Sequence, residues 1–388
     1  MKNRLAEELK LVENDLLAIS DHLYENPELG DEEFESMEGL TNYLEAHQFN
    51  IEKGLVDRPT AFRATYTSEK RGPTIAYLAE YDALPEVGHG CGHNMIGTMS
   101  IGAGIVLSKI VDEIGGTVVV LGTPAEETNG AKVPMSEQGI FDDIDVSMIV
   151  HPGGESYESG GSLAMDAIQY LYKGKTSHAA AAPEEGINAL DGVLQLFNGI
   201  NALREHLPSD VRIHGVISEG GKAANVVPDR ACAHFYIRAS ERKRLDKVVK
   251  QVEQIAEGSA LMTGATVEIS HYELSYDDMK TNHALSEAFT KNLQSVDDEP
   301  IHTAPVDHGS IDMGNVSQVV PAIHPYISLK NADLVQHTRE FAKATISKAG
   351  HEAIKNGILS MALTGYDVIT DEQLLARIKK EFDEQNNL

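Results

Sequence analysis

The sequence predicts an α/β protein: a mostly parallel sheet covered by helices, interrupted by an inserted ferredoxin-like βαββαβ domain. Three observations carry this expectation. Up to Val150, apolar strand-like runs alternate with helical stretches, and that alternation implies parallel strands with helices on both faces. Between 167 and 275 the order becomes strand, helix, strand, strand, helix, strand, the ferredoxin-like sequence of elements. The 388 residues exceed one ordinary core, so two domains are expected. The division places 1–166 and 276–388 in the first domain and 167–275 in the second.

Each element follows from its residue spacing. Leu5, Leu9, Val12, Leu16, Ile19 and Leu23 recur at helical intervals, which predicts an amphipathic helix that Pro27 and Gly30 end. Thr74 to Leu78, Thr117 to Leu121 and Val146 to Val150 are short apolar runs that read as buried strands. Met95 to Val111 is rich in Gly, Ala, Ile and Met, as suits a helix packed closely on a sheet, with Asn94 as its expected cap. In the insert, Ile168 to Tyr172, Arg212 to Ser218, Ala231 to Arg238 and Thr266 to Tyr272 read as strands. Asn188 to Leu207 and Arg242 to Met262 carry apolar residues on one helical face. After the insert, Ala284 to Leu293 reads as helix, Val319 to Ile323 as strand and Ala342 to Leu363 as a long helix. Thr370-Asp371-Glu372-Gln373 has a capping-box pattern ahead of a last helix.

Composition narrows the function classes. Lys plus Arg number 32 against 60 Asp plus Glu, a formal charge of −28. That balance argues against nucleic acid or an anionic membrane as partner. Hydrophobic content of 41% with 24% charged residues fits a globular protein. Two cysteines, Cys91 and Cys232, allow at most one bridge, and a cytoplasmic location is expected. No run is expected to span a membrane.

The residues that carry chemistry cluster at strand ends, where open α/β sheets form their sites. Gly88-His89-Gly90-Cys91-Gly92-His93 puts a thiol and an imidazole two residues apart, and in extended chain both point the same way. Asp82, Glu126-Glu127 and His151-Pro152 each follow a predicted strand. Thiolate, imidazole and carboxylate together suit zinc, manganese or another first-row ion. Cys91, His93, Glu127, His151 and a late His exceed one tetrahedral ion, so two metals with a bridging ligand are expected. Glu126, beside Glu127, is then the candidate proton carrier. Two alternatives stay open on these residues. Cys91 could be a nucleophile with His93 or His151 as base, or the chain could hold metal without turnover. No P-loop pattern is present.

Glu80-Tyr81-Asp82-Ala83-Leu84-Pro85, Gly88 to Asn94, Gly122-Thr123-Pro124-Ala125-Glu126-Glu127 and His151-Pro152 occur in the order of a known family. Over nearly its whole length the chain resembles the amidohydrolase branch of the aminoacylase and carboxypeptidase-type dinuclear metallopeptidases. That branch includes hippurate hydrolase, the auxin-conjugate hydrolases and aminobenzoyl-glutamate hydrolase. The likeness is strongest to the latter and to the "peptidase domain-containing protein two" subgroup.

The resemblance implies a phosphorylase/hydrolase-like catalytic domain with an inserted lid and dimerisation domain. It implies hydrolysis of an amide or peptide bond in a small N-acyl amino acid or dipeptide. Two divalent ions are implied, zinc or manganese, with nickel or cobalt open. Cys91 would bridge them, and His93, Glu127 and His151 would complete most of the ligand set. His337, in His337-Thr338-Arg339, would be the last ligand; His324-Pro325 competes for that place and is otherwise assigned to substrate binding. Glu126 would act as general base and then acid, and Asp82 would orient a ligand. His178 would steady the oxyanion, while Asn225 and Arg238 would contact substrate. The implied partners are a small-molecule substrate and a second copy of the chain, joined through the insert. Asn94 and Glu80 stand where many relatives carry Asp, which bears on metal identity rather than on the reaction.

Overall fold

The computed structural model describes residues 1–304 and 309–386. It divides into two compact units. The first comprises Met1–Gly161 with the described parts of Met279–Asp307 and Asp312–Leu388. The second comprises Ser162–Asp278 with the described residues that follow His308 up to Ile311.

The first unit is built on a six-stranded sheet in the order Asn50–Lys53, Phe62–Thr67, Thr117–Gly122, Thr74–Ala79, Val146–Met148, Ala322–Ile323. The last four strands run parallel, and the first two pair antiparallel at one side. Ile75 to Ala79 and Val118 to Gly122 are buried at every position. That continuous burial is why both read as unbroken apolar runs, since a sheet covered on two faces has no solvent side.

The helix His93–Ile114 packs against this sheet. Its glycines set the closeness: a Cβ at Gly104 would meet Val120 Cγ2 at 2.6 Å. By length and composition this helix could cross a bilayer, contrary to the sequence expectation, but 94% of its apolar window is buried inside the fold. The expected cap is also corrected. Gly92 precedes the helix with φ 84°, while Asn94 lies in the first turn. Its amide donates to Ser20 Oγ and Thr345 Oγ1, both at 3.1 Å. Asn94 therefore ties two other helical segments to the start of this one.

Three later boundaries differ from the spacing. The strand at Val146 stops at Met148, and the chain enters a second, four-stranded sheet at His151–Gly153. The expected strand Val319 to Ile323 shortens to Ala322–Ile323, its first residue ending the helix Met313–Val319. The expected helix 342–363 is two helices, Arg339–Thr345 and Lys348–Thr370, each with its own cap. Thr338 accepts from Phe341 N and Ser347 from Gly350 N, so two hydroxyl caps interrupt what periodicity alone would join. At the last helix, Asp371 rather than Thr370 accepts from Gln373 N and Leu374 N. Thr370 instead donates back to Tyr366 O.

The second unit is a four-stranded antiparallel sheet in the order Thr266–His271, Ala164–Lys173, Arg230–Ala239, Arg212–Glu219. Helices Ala189–Arg204 and Arg242–Thr263 join its strands in βαββαβ order. Tyr170, Tyr172, Phe235, Ile237, Leu196, Leu245 and Val252 form its separate core, and Tyr172 Oη meets Ser259 Oγ at 2.6 Å.

Candidate metal centre and active site

The parallel strands of the first unit deliver the candidate residues to one place. Asp82 follows the strand Thr74–Ala79, and Glu126 and Glu127 follow Thr117–Gly122. His151 opens the small sheet just after Val146–Met148. Cys91 and His93 lie on the turn into the long helix. Gly92 is required between them: its φ is left-handed, and a Cβ there would meet Pro152 Cγ at 2.4 Å.

Donor atoms converge in two groups that share one residue. Cys91, His93 and His151 form one; Cys91, Glu127 and His337 form the other. Within each, the ligand atoms lie within 4.8 Å of one another. A third group joins His93, Glu126 and Glu127. Cys91 Sγ is 3.3 Å from His151 Nε2, and His337 Nε2 is 3.4 Å from Glu127 Oε1. His93 Nε2 lies 3.9 Å from Glu126 Oε2 and 4.0 Å from Glu127 Oε1.

Neighbouring groups fix how the ligands face. Asp82 Oδ1 is 2.9 Å from His93 Nδ1, and Asp82 Oδ2 accepts the Glu127 N–H at 3.0 Å. His151 Nδ1 faces the Pro152 carbonyl at 2.8 Å, which assigns its proton there and leaves Nε2 free to ligate. His337 has φ 63° and donates its backbone N–H to Gly90 O at 2.8 Å, which lays its loop on the Cys91 segment. Ala125, just before the Glu pair, is also left-handed, with φ 61°. Its N–H donates to Glu33 Oε1 at 2.9 Å, and Glu33 also accepts from Thr60.

Burial dominates the electrostatics. It pushes the Cys91 thiol well above its ordinary value, so Cys91 lacks the lowered pKa that a cysteine nucleophile needs. Burial, then His324 and His93, pull His151 down to about 3, keeping the neutral form that ligates metal. Burial is the largest single influence on His93 and opposes its charge, but Asp82, Cys91 and Glu80 together hold the ring well above its usual range. Burial, followed by Glu80 and Asp312, pushes Glu126 well above the carboxylate range.

These residues fit metal ions. Among the described residues, buried His93 Nε2 and Glu127 Oε1 have no hydrogen-bond partner. Buried polar atoms are ordinarily satisfied, and a cation in each of the two Cys91 groups would satisfy one of them. The set of one sulfur, three imidazoles and a carboxylate suits a divalent first-row ion. Cys91 belongs to both triads, as a bridging ligand must.

The remaining sequence candidates fall elsewhere. His324 is buried with its ring centroid 5.4 Å from that of His151, and no donor group among the described residues includes it. His178, Asn225 and Arg238 belong to the second unit. There Ala179 N donates to Asn225 O at 3.0 Å, so His178 and Asn225 sit on adjoining loops. His178 Nδ1 accepts from Ala180 N and Ala181 N, and Arg238 lies 5.1 Å above the Tyr236 ring. Sequence reasoning missed Glu33, Lys132 and Asp312. Lys132 is fully buried between Glu80 Oε1 at 2.6 Å and Asp312 Oδ1 at 2.7 Å. Its only signal was a lone lysine between apolar neighbours.

Residues 158–261 match the peptidase dimerisation domain of the M20 family. The mouse Xaa-Arg dipeptidase is 35% identical over 98% of this chain and 92% of its own length. A subunit of the Escherichia coli p-aminobenzoyl-glutamate hydrolase is 37% identical over 64% of the chain and 56% of its own length. Among solved structures, a Klebsiella pneumoniae aminobenzoyl-glutamate utilization protein has a TM-score of 0.74 at 19% identity, covering 93% of this chain and 98% of its own. The Bacillus subtilis YXEP protein, a dinuclear metal-binding peptidase of the M20 family, has a TM-score of 0.66 at 19% identity, covering 90% and 98%. Full-length likeness and a two-triad donor set together lead to one conclusion: the chain belongs to the M20 peptidase family and is a metal-dependent hydrolase of peptide or amide bonds.

Proposed function

We propose that the protein hydrolyses the amide bond of a small N-acyl amino acid or dipeptide, with Glu126 carrying the proton. The observation that supports this most directly is the pair of donor triads sharing Cys91, with Glu126 Oε2 3.9 Å from His93 Nε2. Cys91, His93 and His151 would hold one ion, and Cys91, Glu127 and His337 the other, as zinc or manganese. Bound ions supply Lewis acidity, polarising the scissile carbonyl and acidifying water. Asp82 keeps His93 in the tautomer that presents Nε2 and holds the Glu127 backbone in register. Glu126, on the short helix Glu126–Asn129, takes a proton from the attacking water and returns it to the leaving amine.

His178, Asn225 and Arg238 are assigned to the substrate, His178 as an oxyanion donor and Arg238 as a partner for a carboxylate. The second unit is assigned to homodimer formation. Its edge strand Arg212–Glu219 exposes Val216 at 64% and Ile217 at 41%, an apolar edge of the kind that pairs with another copy. The names of the relatives set the first substrates to try: dipeptides ending in Arg, and aminobenzoyl-glutamate.

The test combines metal analysis with a panel of N-acyl amino acids and dipeptides. The expected result is two ions per chain and turnover that a chelator abolishes and added metal restores. Turnover that survives complete metal removal contradicts the proposal.

A further inference from the structure

Each triad offers three donors, the number a catalytic zinc takes from protein beside its water, and expansion to five-coordination leaves room for one more. The ion held by Cys91, His93 and His151 has a further carboxylate at hand. Glu80 Oε2 lies 3.4 Å from His93 Nε2, nearer than Glu126 Oε2 at 3.9 Å or Glu127 Oε1 at 4.0 Å. Both side chains are buried, Glu80 at 2% and His93 at 1% exposure. His93 Nε2 has no hydrogen-bond partner among the described residues. Glu80 and Asp82 thus bracket one imidazole: Asp82 holds its Nδ1 side and Glu80 faces its Nε2 side.

The other oxygen of Glu80 is already committed. Lys132 Nζ is 2.6 Å from Glu80 Oε1 and 2.7 Å from Asp312 Oδ1, and Asp312 Oδ2 accepts the Lys132 backbone N–H at 3.3 Å. Lys132 and Asp312 have no exposed surface. Two buried carboxylates facing one buried ammonium leave one negative charge over, which a cation on the His93 side, the imidazolium itself or a metal ion on its Nε2, would offset. The oxygen turned away from Lys132 is the one that faces His93.

We propose that Glu80, which stands outside the three donor groups but beside His93, closes its Oε2 onto the ion held by Cys91, His93 and His151 as a direct ligand, monodentate because Lys132 holds Oε1. Lys132 and Asp312 are positioning residues in this arrangement. A fourth, anionic oxygen donor hardens a site otherwise made of sulfur and nitrogen and favours zinc or manganese over softer ions. The inference rests on the dinuclear reading above, and the test separates the two.

In a crystal structure of the wild-type protein loaded with two equivalents of zinc, Glu80 Oε2 is expected about 2.0–2.2 Å from the ion on His93 and His151. The same ion with Glu80 Oε2 beyond about 3 Å overturns the inference and leaves the dinuclear reading standing. A wild-type protein that takes up no second zinc overturns both. In solution, Glu80→Gln and Glu80→Ala, each of which leaves Lys132 paired with Asp312 alone, are compared with the wild type by zinc competition against a chromophoric chelator. Both are expected to weaken one zinc by about 100-fold or more, leaving the other unchanged. Two zincs held at wild-type affinity in either folded variant contradict the assignment.

Discussion

Asp82 Oδ1 lies 2.9 Å from His93 Nδ1, and the same carboxylate accepts the Glu127 N–H through its other oxygen. One side chain therefore orients two ligands that are 34 positions apart in the chain and belong to different donor triads. Asp82→Asn keeps the shape but loses the anionic acceptor, so the His93 tautomer is no longer enforced. Metal affinity should fall by about 10–100-fold with the fold intact. Chelator competition alongside circular dichroism checks both halves.

His337 and His324 competed for one role, and their positions separate them. His337 Nε2 is 3.4 Å from Glu127 Oε1, while the His324 ring lies tilted against that of His151. His337→Ala should lose one of two metal equivalents. His324→Ala should keep both and change stability instead. Metal content per chain after desalting distinguishes them.

Gly92 joins Cys91 to His93 with φ 84° and no room for a Cβ beside Pro152. Gly92→Ala should destabilise the protein by about 1–3 kcal/mol through backbone strain alone. It should also displace both flanking ligands and lower metal uptake. Chemical denaturation of the metal-free protein measures the first effect, and metal titration the second.

Glu33 provides a pH signature outside the ligands. Burial, the first cause, raises it from 4.5 to about 7, with Asp82 adding to the rise. A carboxyl raised in the folded state binds its proton more tightly there than in the unfolded chain. Its contribution to stability is therefore complete below 4.5 and is lost as pH rises through about 7. Glu33→Gln should remove this decline, so the stability difference between wild type and variant should change across that window and level off on either side. Denaturant midpoints from pH 4 to 8 test it. Equal pH profiles for the two proteins would refute the role.

Most of the candidate metal ligands were legible because their positions are topological. Glu127 and His151 fall just beyond strands that are buried, unbroken apolar runs, and Cys91 lies on the turn into the long helix. The βαββαβ insert was legible for a related reason: its half-buried strands and amphipathic helices repeat local periods. Glu33, Lys132 and Asp312 were not legible. Lys132 reaches Asp312 across 180 positions and Glu80 across 52, and nothing in the local pattern marks a buried ion pair. Caps failed where two candidates adjoin. Asp371 outcompetes Thr370 because Thr370 is still inside the preceding helix, and Asn94 serves distant partners instead of its own helix end.

The central claim is that Glu126 moves the proton while other residues hold the metals. Glu126→Gln, loaded with zinc or manganese and assayed on the best substrate of the panel, tests it most directly. The account predicts two metal equivalents, unchanged stability and a kcat reduced by about 10²–10⁴-fold. Two bound metals with kcat within a few-fold of wild type would contradict it.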